Sequence, residues 1–281
     1  MNFSKIKSYA KLNLALNVTG KTSSLHKIES ILAFVDLYDE ILIKTTKSKK
    51  HSISFNGKFS QKIGKNNTVS KLLKLLEEKN LLNNKKFQIK INKRIPNKAG
   101  LGGGSMNAAN ILGFFVKKKI IKASQKKIIS ISKLIGSDVV LGLNSTNAIL
   151  TSKNKIKYFA NCKKIHMLIV KPNFGCSTKS VYSKVRKFNK SKLNVPKKNM
   201  FGFDFLKKMS NSLESIVFSK HTKLRKIKSY LENLSNPAFV RMTGSGSALV
   251  AYFQSKERCD NAKKQFNKEY KNYWCIVSKT I

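Results

Sequence analysis

The sequence predicts an α+β fold of two domains, and three observations carry that expectation. Strand-like alternation and helical spacing occur in both halves of the chain, mixed without a regular β-α repeat. A polar stretch that loses periodicity, Lys153 to Lys164, separates the halves and places the expected domains at 1–157 and 158–281. A length of 281 residues, 41% hydrophobic with 17 Phe, is ample for two cores and argues against a disordered basic chain.

The elements follow in order. Ala10, Leu12, Leu14, Leu16 and Val18 alternate with Lys11, Asn13, Ala15 and Asn17, so a strand ending at Thr19-Gly20 buries one face. Lys11 and Asn13 then stand side by side on the other face. Ile31 to Tyr38, Glu40 to Thr45 and Ser52 to Phe55 read as three further strands. Thr68 is placed to cap a helix whose Val69, Leu72, Leu73 and Leu76 form one apolar stripe. Phe87, Ile89 and Ile91 alternate with Gln88, Lys90 and Asn92 as another half-buried strand. Next come Pro96-Asn97-Lys98-Ala99-Gly100-Leu101-Gly102-Gly103-Gly104-Ser105 and a helix with Met106, Ala109, Leu112 and Val116 on one side. Ser105 or Gly104 is placed to cap that helix. Lys126 to Ile135 reads as a helix with Ile128, Ile131, Leu134 and Ile135 inward, closed by Gly136. Ser137-Asp138 opens an apolar segment, and Ala148 to Thr151 is a short strand.

In the second half, Ile165 to Val170 is a buried strand. Helical patterns cover Ser177 to Arg186, Phe203 to Phe218 and Thr222 to Leu234. Phe239 to Met242 and Ala248 to Phe253 are strands around a second glycine turn, Thr243-Gly244-Ser245-Gly246-Ser247. A helix from Lys256 to Lys268 and a strand from Trp274 to Ser278 complete the chain.

Composition narrows the function classes. The net charge is +44, from 57 basic and 13 acidic residues, but the excess is nearly all Lys, spread evenly. Arg, the residue suited to bidentate base and phosphate contacts, occurs only at 94, 186, 225, 241 and 258. The expectation is non-specific attraction to polyanions and no specific nucleic-acid partner. Cys162, Cys176, Cys259 and Cys275 have neither Cys-x-x-Cys spacing nor paired His, so zinc and redox motifs are unsupported and reduced thiols are expected. No apolar run approaches membrane-spanning length. Asn13 and Asn17 interrupt the one segment that could pass for a signal peptide, and the strand at Lys11 begins close to Met1. A cytoplasmic protein acting on small molecules is expected.

The order strand, glycine-rich loop, helix N-terminus suits an anion. Glycines let the backbone approach closely, amide groups converge on oxygens, and the helix dipole favours negative charge. The loop is not a Walker A motif, because no Lys-Ser/Thr pair closes it, and it is not Gly-x-Gly-x-x-Gly. Among the aspartates at 36, 39, 138, 204 and 260, only Asp138 lies in an apolar context. It is either a helix-capping carboxylate or a semi-buried base. With Lys11 to offset charge, these residues together support phosphoryl transfer, a reaction catalysed mainly by positioning and electrostatics.

Three segments, Ala10-Lys11-Leu12-Asn13-Leu14, Gly100-Leu101-Gly102-Gly103-Gly104-Ser105 and Thr243-Gly244-Ser245-Gly246-Ser247, resemble the three motifs of the GHMP small-molecule kinases. Val18-Thr19-Gly20, the triple glycine, and Gly136-Ser137-Asp138-Val139 (similar to that family's Gly-Ala-Asp-Val) point to one branch of it. That branch phosphorylates a cytidine-diphosphate-linked methylerythritol in non-mevalonate isoprenoid synthesis. The resemblance implies an S5-domain-2-like N-terminal domain and a ferredoxin-like C-terminal domain. It makes Asp138 the base and Lys11 its charge partner, and wraps Pro96, Asn97, Lys98, Ala99, Gly100, Leu101, Gly102, Gly103, Gly104, Ser105 and Met106 around the phosphates of ATP. Mg2+ would lie between the phosphates with Ser105 as a ligand, and Asn67 would border the adenine. Asn13, His26, Thr178 and Tyr182 would contact substrate, His26 and Tyr182 at the cytosine. One departure stands out: Ser24-Leu25-His26 replaces the family's Gly-Tyr-His, so one aromatic of the cytosine sandwich is missing. Alternatives are a homoserine- or mevalonate-type kinase of the same family, or a basic RNA-binding protein sharing the N-terminal fold. Oligomeric state is left open.

Overall fold

The computed structural model describes residues 2–23 and 25–281; Met1 and Ser24 lie outside the described residues. The chain begins with two long strands, β1 (Ser4–Lys21) and β2 (His26–Thr46), then β3 (Ser52–Asn56), α1 (Thr68–Glu78), β4 (Lys86–Asn92), α2 (Gly103–Lys117) and α3 (Gln125–Ile135). A 3-10 turn at Val140–Leu143 leads to β5 (Ala148–Leu150), β6 (Ile156–Tyr158), β7 (His166–Lys171) and the short α4 (Thr178–Tyr182). After α5 (Phe203–Lys207), α6 (Glu214–Lys220) and α7 (Thr222–Glu232) come β8 (Phe239–Met242), β9 (Leu249–Phe253), α8 (Lys256–Glu269) and β10 (Trp274–Lys279). Among the described residues, no helix is long and apolar enough to cross a membrane.

Two compact units are interleaved along the sequence. One comprises Met1–Ala10, Leu37–Asn97 and Gly102–Ser145; the other comprises Lys11–Asp36, Lys98–Leu101 and Thr146–Ile281. In the first, β3 pairs parallel to β4, which pairs antiparallel to the 40–46 end of β2. The expected apolar stripe of α1 and the inward faces of β4, α2 and α3 meet in one core: Leu72, Leu76, Phe87, Ile89, Leu112, Phe115 and Ile131 are all within it. Leu134, expected inward, is 53% exposed. Ile131 and Ile135 already fill the core-facing stripe of α3, and position 134 falls to its side.

In the second unit, β10-β7-β9-β8 form an antiparallel sheet. With helices between β7 and β8 and α8 between β9 and β10, this is the split β-α-β order of a ferredoxin-like domain. Leu16 and Val18 of β1 join a core with Leu168, Val170, Leu213 and Phe253. Contrary to the half-buried expectation for β1, Lys11 and Asn13 are buried as well, at 4% and 3% exposure. Their polar groups are accommodated by hydrogen bonds within the protein.

Other expectations change for local reasons. Ile31 to Tyr38 and Glu40 to Thr45 are one strand, because Asp39 interrupts the apolar pattern without breaking the backbone. The single helix expected over Phe203 to Phe218 is split into α5 and α6, with Asn211 between them bridging to Leu16. Ser177 to Arg186 yields only the five residues of α4. The polar 153–164 stretch contains β6, which pairs with β5. Arg241 is buried, donates to the carbonyls of Leu14, Leu206 and Met209, and lies 4.5 Å over the Phe239 ring. Its planar fork serves three divergent carbonyls, a task a lysine point charge does poorly.

The first unit has a buried ion pair at its centre. Asp39, 0% exposed, pairs with Lys93 and also accepts from Arg94 N at 2.8 Å, Ile95 N at 2.8 Å and Asn107 Nδ2 at 2.9 Å. Removing one partner leaves the other charge buried and uncompensated. Asp39→Ala is therefore expected to lower the unfolding free energy by about 3–5 kcal/mol, read from urea denaturation; a loss below about 1 kcal/mol would contradict this.

Candidate active site

Pro96, Asn97 and Gly102 to Met106 belong to the first unit, and Lys98 to Leu101 to the second. In the first unit, β4 ends at Asn92 and the chain turns at Lys93 to Ile95 on the Asp39 carboxylate. The helix that follows, α2, starts at Gly103 with Gly102 as N-cap, so neither Ser105 nor Gly104 caps it; both lie in its first turn. Gly102 has φ 69°, a left-handed conformation that glycine adopts at little cost. As a glycine, Gly102 offers α2 no side-chain cap, which suits a helix end whose amides and dipole serve an anion. Thr68 Oγ1 donates to Gly104 O at 2.7 Å, tying the start of α1 to that turn. Asn67, not Thr68, is the N-cap of α1: its side chain accepts from Val69 N and Ser70 N, so its oxygen is committed to the helix end.

Asp138 lies half-buried in the turn after α3, between the buried Ile135 and Val139. Val139 N donates to Gly136 O at 3.0 Å, closing that turn. The 3-10 turn beyond it packs on α2 so closely that a Cβ on Gly142 would lie 2.7 Å from Ala109 Cβ and 2.8 Å from Met106 Sδ. The carboxylate is thus carried by a segment locked onto the helix that begins at the glycine loop. Asp138 does not cap an α-helix; Val139 precedes the 3-10 turn.

In the second unit, Lys98 to Leu101 are held almost wholly by backbone hydrogen bonds. Lys98 O accepts from Cys176 N at 3.1 Å and Ser247 N at 3.3 Å, Ala99 O from Ala248 N at 3.1 Å, and Leu101 O from Lys11 N at 3.1 Å. Gly100 has φ +76°, and a Cβ there would fall 2.1 Å from Thr243 O. The second glycine turn therefore docks the first one directly. Thr243 Oγ1 accepts from Asn13 N at 2.9 Å. Lys11 Nζ donates to Asn13 Oδ1 at 2.7 Å, and Asn13 Nδ2 donates to Ser30 Oγ at 2.8 Å. The sequence motif included Thr243 but gave it no role, and Ser30 carried no signal; both emerge only from pairing across β1 and β2 and across the glycine turn.

The residues expected at the acceptor also lie in the second unit. His26 and Tyr182 are together, ring centroids 5.2 Å apart at 44°. Thr178, at the start of α4, shares a 2.9 Å hydrogen bond with Ser245 of the second glycine turn. Leu25 is 65% exposed. Partial burial, followed by the nearby Lys21 charge, lowers the pKa of His26 below its ordinary value, which favours the neutral ring. Pro96 is buried, and Asn97 Nδ2 donates to Phe59 O at 2.7 Å.

Comparison with known proteins places these motifs in context. The family model described as GHMP kinases N terminal domain matches residues 67–151, and the one described as GHMP kinases C terminal matches residues 199–272. The chain is 56% identical over 281 residues, the whole of both chains, to a 4-diphosphocytidyl-2-C-methyl-D-erythritol kinase of Pelagibacter ubique (strain HTCC1062). It is 33% identical to a protein of the same name from Clostridium perfringens (strain SM101 / Type A), covering 99% of this chain and 98% of the other. A crystal structure of 4-(cytidine 5'-diphospho)-2C-methyl-D-erythritol kinase superposes with TM-score 0.78 at 22% identity, covering 99% and 100% of the two chains. A homoserine kinase from Cytophaga hutchinsonii ATCC 33406 superposes with TM-score 0.68 at 15% identity over 100% of this chain and 95% of the other.

Two measurements follow from the geometry. Gly100→Ala combines a left-handed φ with a backbone clash, and is expected to cost at least about 2 kcal/mol of stability in denaturant unfolding; parent-like stability would refute the docking just described. His26 is expected to titrate below 6.5 by NMR, and Lys21→Ala to move its midpoint upward. A midpoint at or above 6.5 would contradict the stated environment.

Proposed function

Because the chain belongs to the GHMP kinase family, we propose that it transfers the γ-phosphoryl group of ATP to the 2-hydroxyl of 4-diphosphocytidyl-2-C-methyl-D-erythritol, a step of non-mevalonate isoprenoid precursor synthesis. The observation that carries this reading is the 56% identity, end to end, with a kinase of that name. The arrangement of residues within each unit supports it.

The glycine stretch from Pro96 to Met106 binds the phosphates in this reading. Asp39 holds both ends, through Arg94 N and Ile95 N before the stretch and Asn107 Nδ2 after it, so amides meet the phosphate oxygens with little reorganisation. Asn67 borders the adenine, its side chain fixed by the α1 cap and by donation to Gly64 O at 3.0 Å. Asp138 takes the proton of the tertiary hydroxyl as its oxygen forms the new P–O bond and ADP leaves with the electrons of the old one. Lys11, oriented by Asn13, offsets the charge that spreads over the transferring group. Mg2+ bound with ATP would neutralise the phosphate oxygens, and the Ser105 hydroxyl, a hard oxygen donor in the first turn of α2, fits that ion. Asn13, His26, Thr178 and Tyr182 hold the acceptor, with His26 and Tyr182 at the cytosine. Neutral His26 keeps both a donor and an acceptor for a base edge.

The functional halves are taken as 1–157 and 158–281; the matches at 67–151 and 199–272 lie on either side of that division. A cytoplasmic location suits a reaction between two polyphosphorylated small molecules. The lysine excess attracts both, and it attracts other polyanions without selecting among them.

In steady-state kinetics, Asp138→Asn is expected to lower kcat by about three orders of magnitude or more while ATP affinity stays near that of the parent, because the carboxylate acts mainly in the transition state. Turnover within about tenfold of the parent would remove Asp138 from the role of base. A panel of the cytidine substrate, homoserine and mevalonate, followed by ADP release, is expected to give turnover with the first; turnover with either of the others alone would overturn the choice of acceptor.

A further inference from the structure

Phe188 is 46% exposed, in coil that follows α4. The backbone on both sides of it is gripped. Before it, Val185 is buried and its N–H donates to Tyr182 O at 3.1 Å. After it, Asn189 N donates to Val18 O at 2.9 Å, and Asn189 Nδ2 donates to Asn17 Oδ1 at 2.7 Å and Ser212 Oγ at 2.9 Å. Two residues on, the fully buried Glu29 accepts from Ser191 Oγ at 2.6 Å, Lys192 N at 2.8 Å and Leu193 N at 3.1 Å. Burying a carboxylate is expensive unless it is saturated with donors, and these donors come chiefly from the segment after Phe188. The loop is held at the cost of a buried charge, while the ring it presents is left open.

The ring's position gives that arrangement a use. Phe188 lies 6.4 Å from the His26 ring, centroid to centroid, at 51°, and the same histidine has Tyr182 at 5.2 Å. The residue before His26, Leu25, is exposed and has no π face. We infer that Phe188 is a specificity-determining residue of this chain, supplying an aromatic face against the pyrimidine of the cytidine nucleotide where Leu25 cannot. The inference rests on the substrate reading given above. A base meeting a ring on a pre-set loop gains stacking without ordering the loop. Lys187 and Lys190, both exposed beside it, add positive potential for the diphosphate.

The test is calorimetric titration of the full-length protein with CDP, alongside KM for both substrates, for the parent, Phe188→Leu and Phe188→Tyr. Phe188→Leu is expected to weaken CDP binding by about fivefold to a hundredfold, the range for loss of base–aromatic stacking. It should raise KM for the cytidine substrate alike and leave the KM for ATP and the melting temperature unchanged. Phe188→Tyr, which keeps the ring, should bind CDP within about twofold of the parent. If Phe188→Leu binds CDP within about twofold of a parent that turns the substrate over, the role of Phe188 is wrong and the kinase reading stands. If the parent neither binds CDP nor phosphorylates the cytidine substrate, the substrate reading fails and takes this role with it.

Discussion

Four hydrogen bonds converge on the carboxylate of Asp39, from Lys93 Nζ, Arg94 N, Ile95 N and Asn107 Nδ2. Two of the donors are backbone amides just before the glycine stretch, and one is a side chain of the helix just after it. A single buried anion therefore sets where the chain leaves β4 and where α2 stands relative to that exit. Gly103 completes the fit, since a Cβ there would lie 3.0 Å from Ile95 Cγ2 and 3.2 Å from Lys93 Nζ. A loop with both ends fixed has few conformations left, which is what a phosphate site needs in order to present amides without reorganising. Lys93 neutralises the buried charge, so the anion that organises the loop presents little net negative potential to it.

In the second unit the same problem is met by backbone hydrogen bonds instead of a charge. Carbonyls of Lys98, Ala99 and Leu101 accept from Cys176, Ser247, Ala248 and Lys11, so the loop is completed as an extra layer on the second glycine turn. The polar pair Lys11 and Asn13 is buried on β1 and kept in place by Thr243 and Ser30. Buried, hydrogen-bonded polar side chains are conformationally determined, and a lysine so placed exerts a field little screened by water. That suits charge stabilisation during phosphoryl transfer better than the solvated strand lysine that bare periodicity implies.

Periodicity was legible where a single face or stripe carries the burial. The α1 stripe, the β4 alternation, the two glycine turns and β7 to β10 are where the pattern puts them, because local spacing alone decides those elements. Asp39 was not legible. It sits among polar and aromatic neighbours, Tyr38 and Glu40, and its partners lie more than fifty positions away in the chain. Phe203 to Phe218 reads as one amphipathic helix, yet Asn211 is drawn out of it to donate to Met242 O and Gly244 O; tertiary hydrogen bonding outweighed helix propensity. Of the candidate site, the loop and the His26–Tyr182 pair could be read from motifs. Ser30, Glu29 and Phe188 acquire meaning only from contacts between distant segments.

The central claim is that the Asp39 carboxylate, through the chain segments it fixes, makes the glycine stretch competent to bind ATP. The direct measurement is the affinity for a non-hydrolysable ATP analogue of Asp39→Asn, compared with Leu76→Ala, which removes a fully buried side chain from the same unit, at a temperature where both are folded. The account predicts a loss of about tenfold or more for Asp39→Asn and about none for Leu76→Ala. Equal affinities in the two variants would contradict it.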